Sequence, residues 1–320
     1  MQTTHTEPLE QAFTASIIAD DRLRARTRET LRQTLEDCGV FGGDPARVDE
    51  LLRLTDTYQT YACPARVDDE SLLIAGLYGM IIILHGTGIL TGEHLELGPE
   101  AFVRHLRTGA LEHDDPPESA RLLAELGRRL AARSMDPKAL DRFVHYAERT
   151  YRAYLDKRDD LLQGRHPGSL AEYQDNRRFR IGIYPWVWLW IALDGFALPI
   201  QRPRDEHLGT MLGLVNQITY MRNDIATLRR DLHDGLENYI LFLEADLGCD
   251  RARAIEVTKE RCNDQVRELL ALERTIRSAP GDYPEAAPYL DFLRSLLVGN
   301  LLALEAFSTS AYVERDTLLA

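Results

Sequence analysis

Apolar residues recur with a period near 3.6 through almost the whole chain, the signature of helices that each bury one face. The repeat marks residues 20–37, 47–61, 71–84, 99–110, 118–133, 137–161, 186–196, 205–232, 236–247, 250–276 and 286–310. No run alternates β-branched or aromatic residues with polar ones between hairpin turns, so strands are not expected. GGDP at 42–45, GRHPG at 164–168, Pro199 with Pro203, and APGDYPEAAP at 279–288 punctuate the helices. Asp136 before Pro137 and Asp250 before RARAIEV have the form of helix starts. The expected architecture is one all-α domain over residues 1–320, a helical bundle with residues 1–15 flexible.

Two stretches are apolar enough to imitate membrane spans: SLLIAGLYGMIIILHGTGIL at 71–90 and YPWVWLWIALDGFALPI at 184–200. Glycines and a histidine interrupt the first, and the second is short and carries an aspartate. Buried helices of a large bundle fit both better than insertion into a bilayer. The formal net charge of −13 disfavours a phosphate backbone as partner, so no nucleic acid is expected, although a local positive pocket for a small anion remains open. Cys38, Cys63, Cys249 and Cys262 lack the spacing of a zinc site or a disulfide framework. The first residues, MQTTHTEPLEQ, lack the pattern of a signal peptide, which points to a cytoplasmic protein.

One polar segment stands among hydrophobic residues, NDIATLRRD at 223–231. In a helix, steps of four residues drift by only about 40° around the axis. Asn223, Thr227 and Asp231 therefore share a slanting stripe, while Asp224 points about 100° from Asn223. An amide, a hydroxyl and a carboxylate are oxygen ligands suited to Mg²⁺ or Mn²⁺ rather than zinc. Arg230, beside Asp231, could meet a phosphate oxygen in a cleft. A solvated polar face gives the same spacing, and spacing alone does not choose between them.

The segment resembles the second metal-binding motif of bacterial class I terpene synthases, N-D-x-x-S-x-x-x-E, with Thr227 in the serine place and Asp231 in the glutamate place. Downstream, DGLENYILFLEADLGCDRARAIEV is similar to the family's sequence after that motif. YQDNRRFRIGIYP at 173–185 resembles the family's diphosphate-sensing segment, which implies Arg178 as the sensor, Ile181 as the linker and Gly182 as the effector glycine. YACPARVDDESLLIAG at 61–76 resembles the approach to the helix that bears the first metal motif, and the likeness runs over about 60–312.

The resemblance breaks in two places. Where the family carries an aspartate-rich motif this chain has His85, Gly86, Thr87, Gly88 and Ile89, and where the family ends in Arg-Tyr it has Ala311 and Tyr312. Asp68, Asp69 and Glu70 read as a helix cap and first-turn acids, Asp114 and Asp115 as loop residues, and Glu93 as a late substitute ligand. The resemblance implies a class I terpenoid synthase fold and an atypical lyase of isoprenoid secondary metabolism. Such an enzyme cleaves a carbon–oxygen bond to phosphate by ionising an allylic diphosphate at the second motif. It would use fewer metal ions than the family's usual three, and the family permits a homodimer. The carbocation needs a dry pocket with aromatic faces; Tyr78, Phe179, Trp186, Tyr220 and Phe307 are candidates, with core packing as their alternative role. His85 is either a packed histidine at a helix end or an acid/base group. The backbone amides of the glycines after it could approach an anion. Two further readings stay open: an enzyme of the same fold acting on a terpenoid without diphosphate through His85, and a binding protein without catalysis.

Overall fold

In a computed structural model, residues 21–64, 67–91, 94–111, 116–194, 205–283 and 286–307 are described. Residues 1–15, Glu93, Asp114, Asp115, Ala311 and Tyr312 lie outside them, as does the side chain of Phe307. The described residues form twelve α-helices: α1 (Asp21–Asp37), α2 (Pro45–Tyr61), α3 (Asp69–Thr91), α4 (Pro99–Thr108), α5 (Glu118–Ala132), α6 (Pro137–Leu162), α7 (Leu170–Arg180), α8 (Ile183–Asp194), α9 (Asp205–His233), α10 (Tyr239–Leu247), α11 (Arg251–Ser278) and α12 (Ala286–Phe307). The all-α expectation holds. The sequence reading missed α7, whose short, charged sequence hides its period, and stopped α3 too early.

Side-chain caps start these helices where the sequence placed them. Asp68 accepts from the Ser71 amide at 2.7 Å, Asp136 from Lys138 at 3.1 Å and Asp250 from Arg253 at 2.8 Å. The acids at the start of α3 also bind arginines: Asp68 pairs with Arg133, Asp69 with Arg26 and Glu70 with Arg129. The Arg133 guanidinium holds the Asp68 carboxyl down at about 2.

α3 is the central helix, packed by α1, α2, α5, α6 and α8. Its residues Leu72, Ile74, Ala75, Leu77 and Met80 are fully buried, and each large side chain removed from water contributes roughly 1.5–3 kcal/mol. That need to bury apolar surface on every side explains why Asp69–Gly86, long and apolar enough to cross a membrane, is 67% buried inside the bundle. The second such window, Ala286–Leu304, is 61% buried. α3 runs unbroken through Gly86 and Gly88 to Thr91. Amides inside a helix are committed to i→i−4 bonds, so the expectation that these glycines present free N–H groups to an anion is overturned.

α9 is the other organising element, touching α7, α8, α10, α11 and α12. A second apolar cluster, including Tyr173, Tyr220, Leu228, Tyr239, Ile240 and Cys262, packs α7, α9, α10 and α11 together. Between α7 and α8 the chain turns at Gly182, whose φ is +76°. A side chain there would be strained, and its Cβ would come within 3.3 Å of Ile82 Cγ2. The carbonyls at the end of α7 lack helical partners and are taken by neighbours: Asn216 Nδ2 donates to Arg178 O at 2.9 Å, Thr150 to Phe179 O at 3.0 Å and Tyr154 to Arg180 O at 2.7 Å.

Candidate functional site

A cavity of about 180 Å³ opens between α2, α3, α6, the α7–α8 turn, α9 and α12. Its large apolar lining residues, Leu54, Ile82, Ile83, Ile183, Trp186 and Leu296, come from α2, α3, α8 and α12. Lys157, Arg177, Arg180 and Arg230, with Asn223, Asp224 and Asp231, come from α6, α7 and α9, and Glu237 follows α9. Four cations and three carboxylates thus share the cavity with a hydrocarbon lining drawn from other helices.

The polar stripe of α9 is buried, not solvated: Asn223 is 6% exposed, Thr227 1% and Asp231 5%. Thr227 Oγ1 donates to Asp231 Oδ2 at 2.8 Å, and Asn238 Nδ2 donates to the same oxygen at 2.9 Å. Arg230 closes on Asp231 Oδ1 through Nη2 at 2.7 Å and Nε at 3.1 Å. Asn223 Oδ1 accepts from Arg177 Nη2 at 2.7 Å. Two oxygens bound side by side on an octahedral magnesium ion stand about 2.9 Å apart, given bond lengths of about 2.1 Å. The Thr227–Asp231 pair has that spacing, and oxygen donors of this kind suit Mg²⁺ or Mn²⁺ in type; Asn223 and Asp231 line the cavity, whereas Thr227 does not. Among the described residues no group of three or more His, Cys, Asp or Glu could hold a metal, so a metal here depends on the amide and the hydroxyl.

Asp224 is not as separate from Asn223 as the helix angle implies: both accept from Arg177 Nη2 and both line the cavity. Its Oδ1 accepts from Arg177 Nε at 3.0 Å and Nη2 at 2.8 Å; its Oδ2 accepts from Tyr173 Oη and from the Tyr239 amide at 3.1 Å. One carboxylate therefore fastens α7 and α10 to α9. Burial alone would lower the Arg177 pKa, but the Asp224 charge overrides it and holds the guanidinium well above its ordinary value. Burial, reinforced by Asp224, pushes the Tyr173 phenol up.

Several expected site residues stand elsewhere. Arg178 points away from this cavity: it is half-exposed, pairs with Asp175 at 3.3 Å and stacks on Phe179. The cause is helical geometry, since Tyr173, Arg177 and Arg180 occupy the inward stripe of α7 and Arg178 is about 100° off it. Phe179 is sandwiched by Arg149 and Arg178 and, with both, lines a second cavity of about 400 Å³. Tyr78 is buried edge-on to Phe143 at 5.0 Å, and Tyr220 is buried beside Tyr239 with its hydroxyl accepting from Gln174 at 3.1 Å. Both are core, not cavity wall. Trp186 and Gly182 do line the cavity, and Trp186 is fixed by its Nε1 donating to Ala62 O at 2.8 Å.

His85 does not face the cavity; its neighbour Gly86 does. The imidazole sits among Phe102, Tyr151 and Tyr154 at 5.9, 4.8 and 6.1 Å. Burial, aided by His94, lowers its pKa to about 3. It is a neutral packing residue, and the acid/base reading built on it fails on placement.

Sequence reasoning missed Arg177, Arg180, Lys157 and Glu237. Reading α7 as a helix would have put Arg177 and Arg180 on the stripe of the apolar Tyr173. Lys157 carried the weaker signal of a lysine on the buried face of α6, one turn after Tyr154.

The fold has known counterparts. Linalool/nerolidol synthase from Streptomyces clavuligerus, solved in complex with 2-fluorogeranyl diphosphate, matches with a TM-score of 0.74 at 17% identity, covering 90% of this chain and 98% of that one. α-Eudesmol synthase matches with a TM-score of 0.71 at 15% identity, covering 93% and 98%. In sequence, pristinol synthase of Streptomyces pristinaespiralis is 25% identical over 154 residues, 46% of this chain and 41% of its own. Pentalenene synthase of Streptomyces exfoliatus is 24% identical over 161 residues, 50% and 48%. The chain thus spans about half the length of the curated relatives it matches. The family model "Terpene synthase family 2, C-terminal metal binding" matches residues 92–268, more than half of the chain. With the α9 stripe and the α7–α8 turn both inside that span, the chain belongs to terpene synthase family 2.

Proposed function

We propose that the protein ionises an allylic diphosphate, as an atypical terpene cyclase or related prenyl-diphosphate lyase. The observation that carries this reading is the mixed lining of the cavity: hydrocarbon from α2, α3, α8 and α12, and four cations with Asn223 and Asp231 from α6, α7 and α9. That combination suits an isoprenoid tail joined to a diphosphate head. Breaking the carbon–oxygen bond leaves charge on the departing oxygens, which preorganised donors stabilise. Asn223, Thr227 and Asp231 would hold a divalent ion, which when bound neutralises part of the leaving group's charge.

The chain's own residues supply the rest. Arg230 is positioned one residue from the ion's carboxylate and can turn its guanidinium to the diphosphate. Arg177, pinned by Asp224, presents a fixed positive charge. Trp186, Ile82 and Ile83 exclude water from the nascent cation, and Trp186 offers it an aromatic face. The names of its relatives, including linalool/nerolidol synthase, pentalenene synthase and pristinol synthase, support a substrate of this class.

The test is incubation of the full chain with geranyl, farnesyl and geranylgeranyl diphosphate and Mg²⁺. Hydrocarbons, alcohols and released pyrophosphate are then measured. Turnover that needs Mg²⁺ and falls sharply in Asp231→Ala is expected; no pyrophosphate release from any of the three would refute the reading.

A further inference from the structure

Lys157, Arg180 and Glu237 stand where the first cavity meets the second, and all three line both. Lys157 Nζ lies 2.6 Å from Glu237 Oε1, and Arg180 Nη2 lies 3.6 Å from Glu237 Oε2. His166 Nδ1 approaches the same carboxylate at 3.4 Å. One carboxylate therefore serves two cations whose side chains are only 6% and 7% exposed. Arg180 Nε and Nη2 are buried with no hydrogen-bond partner. Buried donors without partners are costly; Glu237 is the acid that both cations contact, Asp160 adds a weaker negative charge near Lys157 and is itself paired with Arg165, and the unpartnered Arg180 nitrogens leave the site short of an acceptor.

Their position relates this cluster to the break in the sequence. Tyr154 Oη lies 3.9 Å from where a Cβ on Gly86 would stand, and Lys157 follows Tyr154 by three residues on the same face of α6. The cations thus line the same cavity as Gly86 of α3, which belongs to the stretch 85–89 that carries no carboxylate.

We propose that Lys157 and Arg180, with Glu237 as their exchangeable counter-ion, bind the diphosphate directly and take the place of the metal ions that an aspartate-rich motif would hold. On anion entry Glu237 is displaced toward His166 and the two cations turn to the phosphate oxygens. The site presupposes the diphosphate-bearing substrate proposed above, but not its turnover.

The probe is inorganic pyrophosphate in EDTA, with the full chain, by titration calorimetry. Saturable binding without metal is expected, weakened about ten-fold or more in Lys157→Met and retained in Lys157→Arg. The unaltered protein gives a second readout: pyrophosphate in EDTA raises its melting temperature, and sodium chloride of equal ionic strength does not. Binding that requires Mg²⁺, or Lys157→Met binding as the unaltered protein does, overturns the assignment. Metal-free binding through Lys157 with no turnover of any prenyl diphosphate would remove the proposed reaction and leave the anion site. Turnover with pyrophosphate bound only in Mg²⁺ would do the reverse.

Discussion

The two partners of the Lys157–Glu237 pair should respond oppositely to removal. Among the described residues Glu237 is the carboxylate paired with both buried cations. Glu237→Gln removes that shared partner and leaves only the weaker Asp160 charge near Lys157, and stranding a buried charge costs about 3–5 kcal/mol. Lys157→Met instead leaves Arg180 and Glu237 one to one. It also removes an ammonium whose pKa burial already lowers, with Glu237 only partly compensating. A net change within about 1 kcal/mol is expected, because a well-packed apolar replacement for a buried ion is often neutral.

For a chain of 320 residues the unfolding entropy is about 0.7 kcal/mol/K. Glu237→Gln should therefore lower the melting temperature by roughly 4–8 °C, and Lys157→Met should move it by less than about 2 °C. Pyrophosphate at about a hundred times its dissociation constant adds about 2.7 kcal/mol, enough to restore roughly 4 °C to Glu237→Gln. Calorimetric melts in EDTA with and without pyrophosphate make the comparison. Equal losses in the two variants, or no rescue of Glu237→Gln, would refute the view that these cations are in excess over their carboxylate.

Asp231→Ala should cut turnover by about 10²–10³-fold and remove the response to Mg²⁺, whereas Arg178→Ala, outside the cavity, should change turnover less than about five-fold; steady-state assays across Mg²⁺ concentrations decide both. Asp224→Asn, which unfastens Arg177, Tyr173 and Tyr239 from one another, should cost about 3 kcal/mol or more, read as a denaturant midpoint. Gly182→Ala forces a Cβ into the left-handed region and against Ile82, and should cost about 1–2 kcal/mol in the same measurement. His85 has a folded pKa lowered to about 3, so the unfolded chain binds the proton first. Its contribution to stability is complete above the unfolded value of about 6.5 and declines as pH falls toward 3. His85→Phe should flatten that acid decline and keep turnover, where an acid/base role would abolish it.

What could be read from the sequence divides along physical lines. Helices announced themselves where a long apolar face repeats, as in α6, α9 and α11, and where a capping acid precedes the run, as at Asp136 and Asp250. The buried polar stripe of α9 was legible because its three residues lie on one local helix, so spacing alone fixed their shared direction. Arg177 and Arg180 were not, because their orientation depends on the register of a short helix whose residues are mostly charged. The aromatic candidates failed for a related reason. Local pattern shows that Tyr78 and Tyr220 are buried, but whether a buried face meets a cavity or another side chain is settled by distant packing, Phe143 in one case and Tyr239 in the other. His85 shows the same limit most sharply, since a rotation of one residue along α3 separates the packed imidazole from the cavity wall at Gly86.

The missing aspartates then need not mean a missing diphosphate site. An aspartate-rich motif gathers positive charge indirectly, by binding metal ions. Lys157 and Arg180 would bring positive charge to the same cavity directly, and both are already buried at a cost. Arg230 and Asp231 add a coupled element: a divalent ion held by Asp231 would compete with the 2.7 Å Arg230 bond and would weaken the hold of Asp231 on that guanidinium, which lines the cavity. Metal at α9 and side-chain cations at α6 and α7 would therefore act on one anion. Mg²⁺ should raise pyrophosphate affinity in the unaltered protein and lose most of that effect in Arg230→Met. If the gain in affinity is the same with and without the arginine, the ion works alone and the coupling between the two halves of the site is absent.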